Sequence, residues 1–103
     1  MAQTKAVTKL KPTPNLNLKE PPLYRVIYIN DDVTTMEFVV ESLVEFFDYT
    51  PETAEQITID IHETGSACVA VLPFEIAEQK GVEITLLARN NGFPLVVKLE
   101  PSH

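Results

Sequence analysis

Apolar and polar positions switch between two periods along this chain. Tyr24 to Ile29 (YRVIYI) is β-branched and aromatic, which predicts a strand. Met36, Val39, Val40, Leu43, Phe46 and Phe47 then recur at three- and four-residue intervals. That spacing predicts an amphipathic helix over about Thr35 to Phe47, with Glu37, Glu41 and Glu45 on its solvated face. Thr34 and Glu37 have the spacing of a capping box at its start. A second helix is predicted from Thr50 to Thr64. Thr50 is the N-cap, Pro51 suits the first position, Glu52 favours the positive end of the dipole, and Gly65 supplies the left-handed stop. On its wheel Ala54, Ile57, Thr58 and Ile61 share one face, with His62 at the margin.

Ser66 to Leu72 (SACVAVL) predicts a second strand. Pro73 opens a third helix to about Asn91, with Ile76, Ala77, Ile84, Leu87 and Ala88 inward and Gly81 weakening it by about 1 kcal/mol relative to Ala. Pro94 to Leu99 predicts the last strand. The order β-α-α-β-α-β predicts an α/β (α+β) two-layer sandwich. Its three strands support one covered face, so the three helices pack on one side of the sheet.

Residues 1–20 are polar, contain Pro12 and Pro14 and have no structural period, so they read as a flexible N-terminal extension. Residues 21–103 form the folded domain. Pro21-Pro22-Leu23-Tyr24 formally matches a PPxY ligand, but the prolines also stiffen the approach to the first strand and Tyr24 belongs to it. Charge follows the same division. The extension has four lysines against Glu20, net +3; the domain has fourteen acids against Arg25, Lys80, Arg89 and Lys98, net −10. A total of −7 argues against nucleic acid as a partner and for a positively charged one. No apolar run approaches the ~20 residues of a membrane span, and the N-terminus lacks the apolar centre of a secretory signal. The single cysteine, Cys68, forms no internal disulfide, consistent with a reducing cytosol.

The polar cluster Asn30-Asp31-Asp32 sits between the first strand and the first helix. Three readings compete for it and for His62. It is turn chemistry that helps to cap the helix. Or two carboxylates and a histidine hold a metal or act as acid and base; HExxH, EF-hand, phosphate-loop and GxSxG motifs are all missing. Or a carboxylate, a carboxamide oxygen and an imidazole nitrogen converge on a protonated amine beside an apolar wall from Met36 and Val39. A peptide α-amino group, with a pKa of about 7.7–8.0, offers that charge and three donors.

The strings Tyr24-Arg25-Val26-Ile27, Ile29-Asn30-Asp31-Asp32 and Thr34-x-Met36-Glu37-Phe38-Val39 resemble the ClpS family of adaptor proteins. So do His62-Glu63-x-Gly65, Glu75-Ile76-Ala77-Glu78-x-Lys80, Ala88-Arg89-x-Asn91 and Pro94-Leu95, in order and at compatible spacing. The resemblance spans about residues 21–100. It implies a non-enzymatic adaptor, without cofactor or metal, that binds N-degron proteins beginning with Leu, Phe, Tyr or Trp. It delivers them to a Clp AAA+ unfoldase (ClpA- or ClpC-type) in a bacterial cytoplasm. By the same resemblance Asn30, Asp31 and His62 would hold the α-amino group and first peptide bond, and Asp32 and Thr34 would shape the rim. Met36, Val39, Ile61 and Leu95 would line the hydrophobic pocket. Glu75 and Lys80 would contact the unfoldase's N-terminal domain, and residues 1–20 would engage the unfoldase during hand-off. One departure stands out: the family often has Met where Thr58 stands, which alters the depth or tolerance of the pocket. The alternative reading is an interaction module that modulates the unfoldase through a vestigial or altered pocket.

Overall fold

The computed structural model describes residues 21–102; the extension expected over residues 1–20 lies outside them. Six elements follow in order: β1 (Leu23–Ile29), α1 (Met36–Phe47), α2 (Pro51–Thr64), β2 (Ser66–Pro73), α3 (Phe74–Asn90) and β3 (Val96–Pro101). The predicted order holds. β1 is the central strand of an antiparallel sheet ordered β2-β1-β3. Ile29, its last residue, pairs with Ser66 at the start of β2 and with Val96 at the start of β3. The antiparallel arrangement therefore gathers the exit of β1 and the approaches to both neighbours at one end of the sheet. A register shift between Val26 and Ile27 interrupts the β1–β2 ladder.

Alternation along β1 turns Val26 and Tyr28, both fully buried, toward the core. Leu43 of α1, Ala54 and Ile61 of α2, Val69 of β2, and Ala77, Ile84 and Ala88 of α3 complete it. Full burial of a side chain such as Leu43 or Ile84 contributes about 1.5–3 kcal/mol. One polar pair is sealed inside. The Ser42 hydroxyl donates to the Val39 carbonyl at 2.8 Å, and the Tyr28 hydroxyl lies 2.8 Å from Ser42 Oγ. Burial pushes the Tyr28 phenol up, against the opposing effect of Ser42, so it stays neutral.

Several details differ from expectation. Thr35, not Thr34, is the N-cap of α1: its hydroxyl accepts from the Phe38 amide at 3.2 Å. Glu37 is then the second helical residue, so no Thr34–Glu37 capping box forms. Ile76 points outward and is 45% exposed, because Ala77, Ile84 and Ala88 define the buried stripe of α3. Phe74, not Pro73, opens α3; Pro73 ends β2. β3 runs Val96–Pro101 rather than 94–99, leaving residues 91–95 as a turn. Thr50 and Gly65 bound α2 as predicted, Gly65 with a left-handed φ of 97°.

Candidate functional site

The loop between β1 and α1 is built by Asp31. Its Oδ1 accepts from the amides of Val33 at 2.8 Å and Thr34 at 2.7 Å, and its Oδ2 accepts from the Thr34 hydroxyl at 2.7 Å. Turn chemistry is thus present. It is also incomplete as an account of Asp31, because a carboxylate has about four acceptor positions and the loop fills three. Burial pushes the Asp31 carboxyl up. The Thr34 amide, the Thr34 hydroxyl, the Val33 amide and the charge of Arg89 outweigh it and hold the group below its ordinary value. Asp31 is therefore a fixed, ionised carboxylate at neutral pH.

The next link is topological. The Asn30 amide donates to the Gly65 carbonyl at 2.9 Å, tying the loop to the C-terminal end of α2. That tie brings the last turn of α2, with Ile61 and His62, against the loop. Asn30, Asp31, Asp32, Thr34, Met36, Val39, Thr58, Ile61 and His62 all line one cavity of about 450 Å³. Its walls are mixed. Val39, Thr58 and Ile61 are buried, Met36 is 43% exposed, and His62 and Asp32 are exposed at the rim.

Leu95 lies one layer deeper than a wall residue. It is 1% exposed and lines a separate void of about 10 Å³ with Ile29, Asn30, Asp31, Thr34, Val39 and Ile61. Five of those residues also line the large cavity, so Leu95 supports its floor. Thr58 is 3% exposed, and its hydroxyl donates to the Ala54 carbonyl at 2.7 Å. Its polar atom is satisfied within the helix. A second cavity of about 440 Å³ between α1 and α2 shares Met36, Glu37 and Thr58 with the first, so these side chains divide the two.

Glu75 and Lys80 are not part of this cluster. Glu75 is exposed in the first turn of α3, and Lys80 Nζ lies 5.7 Å over the ring of Phe47 at the far end of α1. Five residues on a helix place them about 140° apart around its axis. Two contributors were not expected. Glu37, expected on the solvated row of α1 and in a capping box, also lines the cavity. Arg89 donates through Nη1 to the carbonyls of Phe93 and Leu95, both at 2.9 Å. Its signals in the sequence were its rarity as a cation and its place in Ala88-Arg89-x-Asn91, neither of which names its partners. Among the described residues no group of three or more His, Cys, Asp or Glu is placed to hold a metal ion. No described helix is long and apolar enough to cross a membrane.

Such a site offers a fixed carboxylate, a carboxamide and an imidazole on one rim, over an apolar wall. It can accept donors from a cationic group while seating an apolar side chain. Residues 19–98 match the family described as "ATP-dependent Clp protease adaptor protein ClpS". The ClpS adapter protein of Clostridium acetobutylicum is 45% identical over 78 residues, which are 76% of this chain and 77% of that protein. The one from Acetivibrio thermocellus is 39% identical over 94 residues, 91% of this chain and 95% of that protein. The solved structure of Agrobacterium tumefaciens ClpS2 bound to L-phenylalaninamide aligns with a TM-score of 0.77 at 40% identity. It covers 81% of this chain and 100% of that one.

Proposed function

The chain belongs to the ClpS family of ATP-dependent Clp protease adaptor proteins, and on that premise we propose that it binds the free N-termini of N-degron substrates and presents them to a Clp AAA+ unfoldase. The observation that carries this reading is the convergence of Asn30, Asp31 and His62 with Met36, Val39 and Ile61 around one cavity. The similar structure from Agrobacterium tumefaciens holds phenylalaninamide, a ligand with both a free amine and an aromatic side chain. In this reading the ammonium donates to the free acceptor position of Asp31, with Asn30 and His62 completing its shell. Asp32 and Thr34 shape the rim, and the first side chain rests on Met36, Val39 and Ile61 above Leu95. Each charge-assisted hydrogen bond contributes on the order of 1.5–3 kcal/mol.

The second half of the role is delivery. Glu75 and Lys80 lie toward the end of α3 remote from the cavity. The Phe74 amide there donates to the Pro22 carbonyl at 3.3 Å, so the described chain begins beside Glu75. The length of α1, about 18 Å, separates the two ends. A substrate N-terminus and an unfoldase N-terminal domain of the ClpA or ClpC type can therefore be held at once. Residues 1–20, outside the described residues, would engage the unfoldase during hand-off. The protein acts as a bacterial cytoplasmic adaptor and catalyses nothing itself.

Titration of a fluorescent Phe-initiated peptide, free and N-acetylated, tests the reading. Acetylation removes the cation and its donors, so binding should fall at least a hundredfold, the loss of about two charged hydrogen bonds. An acetylated peptide that binds as well as the free one refutes the amine site. Specificity is tested at Thr58. Methionine there would extend into the divide between the two cavities, so Thr58→Met should change the ranking of peptides that differ in the first residue, with the largest change for β-branched Ile and Val. An unchanged ranking removes Thr58 from the determinants.

A further inference from the structure

We propose that Arg89 is a positioning residue of the peptide site: its guanidinium braces the turn between α3 and β3 so that Leu95 is seated under the cavity floor. The inference rests on the reading of that cavity as the site for a peptide's first residue. Arg89 stands in the last turn of α3. The chain beyond it bends through Asn91 and through Gly92, at φ 78°, before Phe93, Pro94 and Leu95. Ladder pairing of β3 with β1 begins only at Val96↔Ile29. Ladder pairing therefore stops one residue short of Leu95.

Three contacts hold the turn that carries it. The Phe93 amide donates to the Ala88 carbonyl at 2.9 Å, and the Phe93 ring meets the Phe38 ring edge-on at 5.2 Å between centroids. Arg89 Nη1 then bridges the carbonyls of Phe93 and Leu95, at 2.9 Å each. The bridge spans both sides of Pro94 and closes the turn onto its own helix. A guanidinium suits the task because it is planar, permanently charged and rich in donors. Leu95 in turn touches the void shared with Asn30, Asp31, Thr34, Val39 and Ile61, so its depth sets how far a first side chain can descend. The charge of Arg89 also helps keep Asp31 ionised, which couples the ammonium end of the site to the same residue.

The test compares binding of Phe-initiated and Ala-initiated peptides by the full chain, unaltered and as Arg89→Gln and Arg89→Lys. Arg89→Gln should weaken the Phe peptide about tenfold, the loss of one charged hydrogen bond, while the Ala peptide changes less. The Phe-over-Ala ratio therefore falls, which a merely destabilised fold would not produce in molecules that remain folded. Arg89→Lys should restore part of the ratio. A folded Arg89→Gln with an unchanged ratio overturns the proposal. An unaltered chain that binds neither peptide defeats the functional reading itself, whereas normal binding with an unaffected variant defeats only the role of Arg89.

Discussion

Two turns lead into helices α1 and α2, and their last residues are nearly superposable. Thr35 has φ −75° and ψ 152°, and its hydroxyl accepts from the amide three residues on at 3.2 Å. Thr50 has φ −68° and ψ 155° and makes the same bond to the Thr53 amide at 3.2 Å. What precedes the two caps differs. Before Thr50 there is only Asp48, left-handed at φ 61°, and Tyr49, whose hydroxyl donates to the Val69 carbonyl at 2.6 Å. Before Thr35 there is a carboxylate that receives three hydrogen bonds from its own loop, next to a carboxamide on the cavity wall. A helix start needs the threonine alone. The extra polar groups before α1 exceed the needs of capping, and the proposed amine site uses that excess.

The sharpest way to break this contrast is Asp31→Asn. The amide oxygen can still accept from the Val33 and Thr34 amides, so the melting temperature should change little. Affinity for a free-amine peptide should fall by about 1.5–3 kcal/mol, roughly tenfold to a hundredfold. An equal loss of stability with affinity intact would reduce the first turn to the status of the second. Acid titration sharpens the same point. Because the Asp31 pKa is lowered in the folded chain, its contribution is complete above its ordinary value of 3.8. It is lost only as pH falls through the lower folded value. The binding advantage of the unaltered chain over Asp31→Asn should therefore be level from about pH 5 to 7 and shrink only as pH falls below about 3.8. The smallest effects belong to the caps. Thr50→Ala should cost about 1 kcal/mol in denaturant unfolding and leave peptide affinity unchanged. Thr35→Ala should cost a similar amount. It should also weaken binding somewhat, since Met36 in the next position is a wall of the cavity.

The architecture was legible because its signals are local. Period-two and period-3.6 patterns, a threonine before α1 and α2 and glycine after α2 are properties of short windows, and all six elements appear in the order those windows predict, with β3 displaced by two residues. Thr34 was misread because two adjacent threonines compete for one cap, and only Asp31's demand for a hydroxyl donor decides between them. Ile76 was misread because the small residues Ala77 and Ala88, which permit close packing of α3, outweigh a larger apolar neighbour. That Asn30, Asp31, Thr58, Ile61 and His62 would share one cavity came from family resemblance rather than from spacing.

By itself the sequence determined the element order, the excess of acid over base and the presence of a polar cluster at the first strand-to-helix junction. These follow from side-chain chemistry and from interactions a few residues long. Only the tertiary structure decided which distant residues join the cluster around one cavity. An antiparallel sheet with β1 at its centre returns the end of α2 and the start of β3 to the exit of β1, which brings Ile61, His62 and Leu95 to Asn30 and Asp31, far away in the chain. The same closure sets Arg89 beneath the turn that seats Leu95. It also turns the Thr58 hydroxyl onto its own helix and leaves Met36 and Thr58 as the divide between two cavities. Contacts of that range depend on how the layers close, and no window of the chain contains them.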